Sequence, residues 1–574
     1  MLDTKPRDVQ FATIASADTT ILRSRTWDRL KFEVEYSLQR GTTANSYLIQ
    51  ADKIALIDPP GESFTEIFLQ ELQQCIDVSQ LDYIILGHVN PNRMVTLKAL
   101  LELAPQVTFV CSKPGAIALQ SALREHEIQV WVPRAEDTLD LGRTHQLQFA
   151  SIPTPRWPDG LCTYDPASRI LFTDKLFGAH VCSDEVFDEN WKRLDEDRRY
   201  YYDCLHAAQS RQVEVALDKL ATFPAKFYAP GHGPIVRYSL SRLTHDYRQW
   251  SQQQTTQDLT VALIYASAYG NTATLAQAIA KGITKAGVAV ESINCEFAEP
   301  DEIQAVVEKC DGFIIGSPTL GGHMPTQVQT ALGIVLSTAA KTKLAGVFGS
   351  YGWSGEAVDE LDSKLRDAGY RLAFEPIRVK FKPTDAILLQ SKEAGTDFAQ
   401  ALKKSKKSRT PWQAVSNSQI DRTEQAVGRI VGALCVLAAK RGEATSAMLA
   451  SWVTQSSFNP PGITVAVAKD RAVEPFTHTG DRFVLNILQE GRNVRRHFLK
   501  PFAPGEDRFA GLDVREAENG CPVLGEALAY LECTVHNRMD CGDHWLVYAV
   551  VDNGKVLQST GMTAVHHRKS GSQY

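Results

Sequence analysis

None of the eleven cysteines forms a C-x-x-C pair, so neither a zinc knuckle nor a rubredoxin-type iron site can be read from the sequence, and no disulfide framework is expected. Scattered as they are, the cysteines read as small buried apolar residues. Long apolar runs are missing too. The longest, around Ile430 to Ala439, falls well short of the ~20 residues a membrane span needs. The opening MLDTKPRDVQ carries charge where a signal peptide has its apolar segment, which predicts a cytoplasmic protein. Nor is there a basic excess: 61 Lys and Arg face 67 Asp and Glu, a net charge of -6, so nucleic acid is not an expected partner. Charged residues at 22% and hydrophobic ones at 44% describe a globular chain. Its 574 residues exceed the ~250 that one core organises, so several domains are expected.

Two polar stretches divide the chain. One is Gln249 to Asp258 (QWSQQQTTQD); the other, Lys403 to Gln419, is basic, contains Pro411, and reads either as a linker or, over its lysines, as the solvated end of a helix. These give four segments: 1–254, 255–405, a linker at 406–421, and 422–574. The first mixes strand-like runs such as SYLIQADKIALID with helices, which predicts an α/β sandwich. In the second, VALIYA, DGFIIGS and LAGVFGS alternate with helices expected from Thr274 and Thr326, the pattern of a doubly wound parallel sheet. The last is rich in runs such as GITVAVA and HWLVYAVV, which predicts a β-barrel.

In the second segment, the strand ending near Tyr265 leads into Ser267, Ala268, Tyr269, Gly270, Asn271 and Thr272 and then a helix. Hydroxyl groups and backbone N–H groups at a helix N-terminus form an anion cradle. Two further strand ends feed loops to the same edge. One carries Pro318 and Thr319; the other carries Ser350, Tyr351, Gly352, Trp353 and Gly355, with aromatic rings suited to flank a planar ligand. Each loop alone could be a simple helix cap. Together, in this order, they resemble the flavodoxin fold, which implies FMN.

The run GTTANSYLI from Gly41, the strand IALIDPP from Ile54 and YIILGH ending at His88 resemble the metallo-β-lactamase fold. In its flavodiiron branch, this last strand is followed by H-x-E-x-D-H, with four iron ligands; here the positions read His88, Asn90, Asn92 and Arg93. Arg156 precedes Trp157-Pro158-Asp159 where the family has histidine, Lys175 in LFTDKLFG takes the bridging-aspartate position, and His232 in APGHGPI matches the last histidine ligand. Amides bind hard cations weakly and guanidinium or ammonium groups repel them, so a di-iron centre, which the family implies, is not expected. Two readings follow: the cations Arg93, Arg156 and Lys175 fill the space of the metals and draw in a small anion, or they have drifted to the surface. Asp174 could also shift into the ligand position.

From Val431 onward the chain resembles the flavin reductase family, whose split β-barrel binds flavin through the segment represented by Thr445 to Ala447 and Ser451 to Phe458. Ser446, Thr454, Gln455, Ser456 and Ser457 suit phosphate and ring contacts with FMN or FAD; Asn486 and His544 are weaker candidates. No G-x-G-x-x-G follows a strand here, so a nicotinamide donor would lie on the flavin face.

The order of the three modules resembles flavodiiron proteins of oxygenic phototrophs with a fused reductase. That resemblance implies an NAD(P)H:oxygen oxidoreductase passing electrons through FMN to reduce O2 to water, in a head-to-tail homodimer or a heterodimer with a ligand-complete relative. A non-catalytic regulatory or scaffolding subunit and a metallo-hydrolase are the alternatives.

Overall fold

The computed structural model describes residues 5–28, 31–32, 35–36, 41–409, 426–491 and 494–567. It divides into two compact units, Met1–Asp258 with Ala289–Glu299, and Leu259–Val288 with Pro300–Tyr574. No helix among the described residues is long and apolar enough to cross a membrane.

In the first unit, two sheets share one core. One has seven strands in the order Asp8–Thr13, Thr19–Thr26, Thr42–Gln50, Ile54–Ile57, Tyr83–Ile85, Thr108–Val110, Gln129–Trp131. The other has five: Thr138–Gly142, His145–Ser151, Leu161–Asp165, Ile170–Asp174, Phe227–Pro230. The two-residue period of a strand splits its side chains between layers. Tyr47 and Ile49 enter the core between the sheets with Ile57, Phe149 and Phe172, while Leu48 turns the other way, towards Phe68, Leu97 and Leu100 of the covering helices. On the far side, Tyr164 and Leu171 of the second sheet pack against Tyr202, Leu217 and Tyr247 of helices Asp195–Leu205, Ser210–Leu220 and Leu240–Thr255. Helix, sheet, sheet, helix is the metallo-β-lactamase-like sandwich.

The expected linker at Gln249 to Asp258 does lie at the division of the chain, the first unit running to Asp258, but its conformation is a correction: through Thr255 it is the end of the helix Leu240–Thr255. Its glutamines are good helix formers, and Ser251, fully buried, hydrogen-bonds the Tyr202 hydroxyl at 2.9 Å.

In the second unit, Thr260–Tyr265, Gly312–Pro318, Leu344–Tyr351 and Ile377–Lys380 run parallel, joined by helices that include Thr326–Thr338 and Glu356–Asp367. This is the flavodoxin-like module. Helix Asn271–Lys285 starts three residues before the expected Thr274. The lysine run continues helix Asp385–Arg409; the expected linker beyond residue 409 lies outside the described residues until residue 426. The C-terminal module is an antiparallel seven-stranded sheet, in the order Ala444–Ala450, Cys435–Arg441, Arg482–Ile487, Ala529–Cys541, His544–Val556, Pro461–Ala468, Val453–Phe458. Both ends of the sheet send side chains, Ala450 and Ile463 among them, into one core with Leu437, Phe483 and Val547, as a curled barrel requires.

Candidate functional site

The first unit gathers its polar residues where parallel strands end. Ile54–Ile57 runs into Asp58 and Tyr83–Ile85 into Gly87 and His88. Asn90 caps the turn Pro91–Arg93, its side chain accepting from the Asn92 N–H at 2.9 Å, and Pro91 takes the first helical position. The cap aims Arg93 inward and leaves Asn92 exposed.

Arg93 is buried between two carboxylates. Its Nη1 donates to Asp58 Oδ1 at 2.7 Å and its Nη2 to Asp174 Oδ1 at 3.2 Å. Asp174 Oδ2 lies 2.6 Å from His88 Nδ1, and the Gly87 N–H donates to Asp58 at 2.9 Å. Both aspartates have left-handed backbones, φ 53° and 44°, a conformation non-glycine residues hold only where surroundings enforce it. Burial raises the Asp58 carboxyl above its usual value, reinforced by Asp174 and opposed by Arg93. Burial pushes Asp174 upward too, but His88, Lys175 and Arg93 hold it well below the carboxylate range. The His88 Nε2 is buried with no hydrogen-bond partner among the described residues.

A neighbouring chain of contacts contains Lys175 and His232. The Lys175 ammonium lies 3.2 Å from His232 Nε2, while His232 Nδ1 faces the Thr43 carbonyl at 2.7 Å. A carbonyl only accepts, so Nδ1 carries the proton and Nε2 accepts from lysine. Burial, then Lys175 and His180, hold His232 well below its ordinary pKa, consistent with that neutral ring. His206 Nε2 donates to the Lys175 carbonyl at 3.0 Å, and burial lowers this ring to about 3.

The expected convergence of three cations on an anion is corrected here. Arg93 is neutralised by Asp58 and Asp174, and Arg156 donates to the Cys204 carbonyl at 3.0 Å with its guanidinium 4.8 Å over Trp157. Only Lys175 of the three lines the adjoining cavity, with Gly87, Thr154, Trp157, Asp174 and His206. At about 30 Å³ it has room for roughly two waters. Asp174 has turned into the site, as the alternative register allowed. Asp58, Asp159, which accepts from the Val89 N–H at 2.6 Å, and His206 were not singled out by sequence, although Asp58 stands in the quoted IALIDPP and Asp159 in the W-P-D run. Among the described residues, no three His, Cys, Asp or Glu side chains cluster as a metal would require.

In the flavodoxin-like module, the three expected loops meet at the carboxyl edge of the parallel sheet. Gly270 at φ 79° turns the chain into helix Asn271–Lys285, and Ser267 Oγ accepts from the Ala273 N–H at 3.0 Å. Thr272, fully buried, hydrogen-bonds Ser350 at 2.8 Å, and the Thr319 N–H donates to the Ser350 carbonyl at 2.9 Å. Ser350 therefore ties the first and second loops to the third. Gly321 and Gly322, both left-handed, close the second loop through the Leu320 and His323 pair. Thr319 Oγ1 is buried and unpartnered among the described residues, next to the buried Pro318. Around this cradle, Tyr269 is 82% and Trp353 90% exposed, while Tyr351, Gly352, Gly355 and Asn271 are half-buried.

In the barrel, Ser446 Oγ is likewise buried and unpartnered among the described residues. Thr454, Gln455 and Ser456 are exposed along the edge strand Val453–Phe458, and Ser457 hydrogen-bonds the Tyr548 hydroxyl at 3.0 Å. Phe458 is 87% exposed. Asn486 is a correction: it is fully buried, its Nδ2 pointing to the Val436 and Pro522 carbonyls and its Oδ1 accepting from the Leu524 N–H at 2.8 Å. Its side chain holds strands together instead of facing a ligand. His544 is paired with Asp543 at 2.8 Å and packed 5.0 Å from Trp452.

Three domain families match the chain: ODP family beta lactamase over residues 42–233, Flavodoxin over 263–395 and Flavin reductase like domain over 427–572. Diflavin flavoprotein A 6 of Nostoc sp. is 68% identical over the whole of both chains, and diflavin flavoprotein A 1 of Synechocystis sp. is 45% identical, covering 97% of this chain and 96% of that one. Among solved structures, a metal-soaked flavodiiron core from Synechocystis sp. superposes with a TM-score of 0.68 at 63% identity, covering 70% of this chain and all of the other.

Proposed function

This chain belongs to the diflavin flavoprotein A family of flavodiiron proteins, and on that premise we propose that it is a flavin-dependent electron-transfer subunit, fed by NAD(P)H, of a system reducing O2 to water, without a di-iron centre of its own.

The observation that carries the flavin half is the cradle at the carboxyl edge of the flavodoxin-like sheet. The buried Thr319 hydroxyl, unpartnered among the described residues, sits beside a loop whose backbone N–H groups open a 15-residue helix, and exposed Tyr269 and Trp353 border it. Such a site fits an FMN phosphate and ring. Ser267, Asn271 and Thr319 would hold the phosphate end, Tyr351, Gly352 and Trp353 would border the ring, and Ser350 with Thr272 would keep the loops in register. In the barrel, Ser446 and the Thr454–Ser457 edge fit a second flavin, FMN or FAD. Bound flavin supplies one- and two-electron carrier chemistry; the protein supplies position and exclusion of water.

The donor set of the first unit does not fit two irons. Asn90 is engaged in a helix cap, Asn92 is exposed, and Arg93 holds the carboxylates of Asp58 and Asp174 that a metal would need. A ligand-complete relative in a head-to-tail dimer would then provide the oxygen-reducing centre.

Metal and flavin analysis of the purified full-length chain tests the reading. Bound FMN with iron far below one per chain is the expected result, and near two irons per chain surviving chelation would overturn it.

A further inference from the structure

Two carboxylates, one on each side of the contact between the flavodoxin-like and reductase-like modules, are each held by cations or N–H groups of the other side. Glu474, in the turn Glu474–Phe476 of the barrel, is 1% exposed. Its Oε2 accepts a hydrogen bond from Lys285, the last residue of helix Asn271–Lys285, and lies 3.9 Å from Lys392 Nζ; its Oε1 pairs with Arg538 of its own module at 3.2 Å. The reciprocal carboxylate is Glu393, on helix Asp385–Arg409. It accepts from Arg508 Nη2 at 2.8 Å and from the Gly505 N–H at 2.8 Å, both in the barrel module. Leu389, one turn before Glu393, packs against the barrel core, and Gln400 donates to Asp470 at 2.9 Å at the rim. Gly505, left-handed at φ 76°, allows this approach, since a Cβ there would stand 2.9 Å from the Gln390 side chain.

We propose that these reciprocal clamps, Glu474 and Glu393, make helices Asn271–Lys285 and Asp385–Arg409 a permanent docking surface for the reductase-like module, so that the two modules act as one body. Complementary charge placed in both directions fixes register, because a rotated pose sets lysine against arginine and carboxylate against carboxylate. Burial adds to this: separating the modules would have to resolvate five ion-paired groups at once, Glu474, Lys285, Lys392, Glu393 and Arg508. The phosphate loop of the flavodoxin-like module stands apart from these clamps. Lys285 lies at the opposite end of its helix from the phosphate loop, ~21 Å away at 1.5 Å per residue. The distance between the two flavin sites of a chain is then set by the fold and not by a swinging tether.

The experiment uses the full-length chain carrying Gln400→Cys and Asp470→Cys, treated with a short bismaleimide, the linked peptides being identified by mass spectrometry. The expected result is rapid crosslinking within one chain at a rate independent of protein concentration. Glu393→Gln, and separately Lys285→Gln with Lys392→Gln, should slow it about fivefold or more. The second pair of changes leaves the Glu474–Arg538 pair intact, so the barrel keeps its own contacts, and circular dichroism verifies folding. Unchanged rates in both folded variants, or links only between chains, would overturn the proposal.

Discussion

At Arg93 the guanidinium is the counter-charge of two buried carboxylates, and removing it leaves both facing each other in a buried site. Arg93→Met should therefore destabilise the first unit by about 3–5 kcal/mol, the range for breaking a buried ion pair. Denaturant unfolding followed in that unit checks it through a lower midpoint with unchanged slope. A change within ~0.5 kcal/mol would mean that Asp58 takes up a proton without cost. A second residue gives a pH signature. Burial, reinforced by Glu393, raises the Asp397 carboxyl to about 6 in the folded chain. Ionised aspartate is thus disfavoured in the fold, and the penalty is absent below the unfolded value, grows as pH rises from about 4 to 6, and is constant above. Asp397→Asn should be more stable than the parent by about 1 kcal/mol at pH 7, after discounting for partial exposure, and the gap should close towards pH 4. Paired melting curves at both pH values measure it; a gap that widens on acidification would contradict the sign.

Helices Asn271–Lys285 and Asp385–Arg409 touch backbone to backbone. A Cβ on Gly282 would stand 2.0 Å from the Lys392 carbonyl oxygen, and one on Gly395 would stand 2.1 Å from that of Ile279. Alanine would gain up to ~1 kcal/mol in helix propensity, but main chain cannot yield as a flexible side chain does. Gly282→Ala should thus destabilise the second unit by about 1–3 kcal/mol or more, the cost of overpacking, read as a lower melting temperature. Neutral or improved stability would show that the helices separate freely. Elements like these were the readable part of the chain. Apolar runs gave the parallel strands, and the phosphate loop announced its helix to within three residues, because period and capping are local. A polar helix end such as Gln249–Thr255 reads as a linker, since the buried contact of Ser251 is with Tyr202, some fifty positions away. The same limit applied to the site. The resemblance points to His88, Lys175 and His232, but whether Arg93 meets an anion or a carboxylate depends on Asp58 and Asp174, which only folding brings together.

For the whole molecule, the decisive property is asymmetry between a flavin cradle that is built and a metal site that is filled by ion pairs. A homodimer of such chains would set each cradle against a site with Arg93 where ligands are needed, so NAD(P)H oxidation by this chain alone should reduce oxygen to water poorly. On the proposed reading, pairing with a ligand-complete relative would make one of the two directions productive, and this chain would contribute through its flavin. Oxygen consumption of the mixed proteins should then exceed the sum of the separate rates and should depend on the loops of this chain. Ser267→Ala with Thr272→Ala removes the Ala273 cap and the tie to Ser350 without touching a core contact of either sheet in the first unit. It should release FMN from the flavodoxin-like module and lower the mixed rate to that of the relative alone. Flavin content of each chain, measured before mixing, separates loss of the cofactor from loss of the complex. If the variant lacked its FMN, still bound the relative, and left the mixed rate unchanged, electrons would not pass through this chain, and it would act as a regulatory partner whose ion-paired site serves structure.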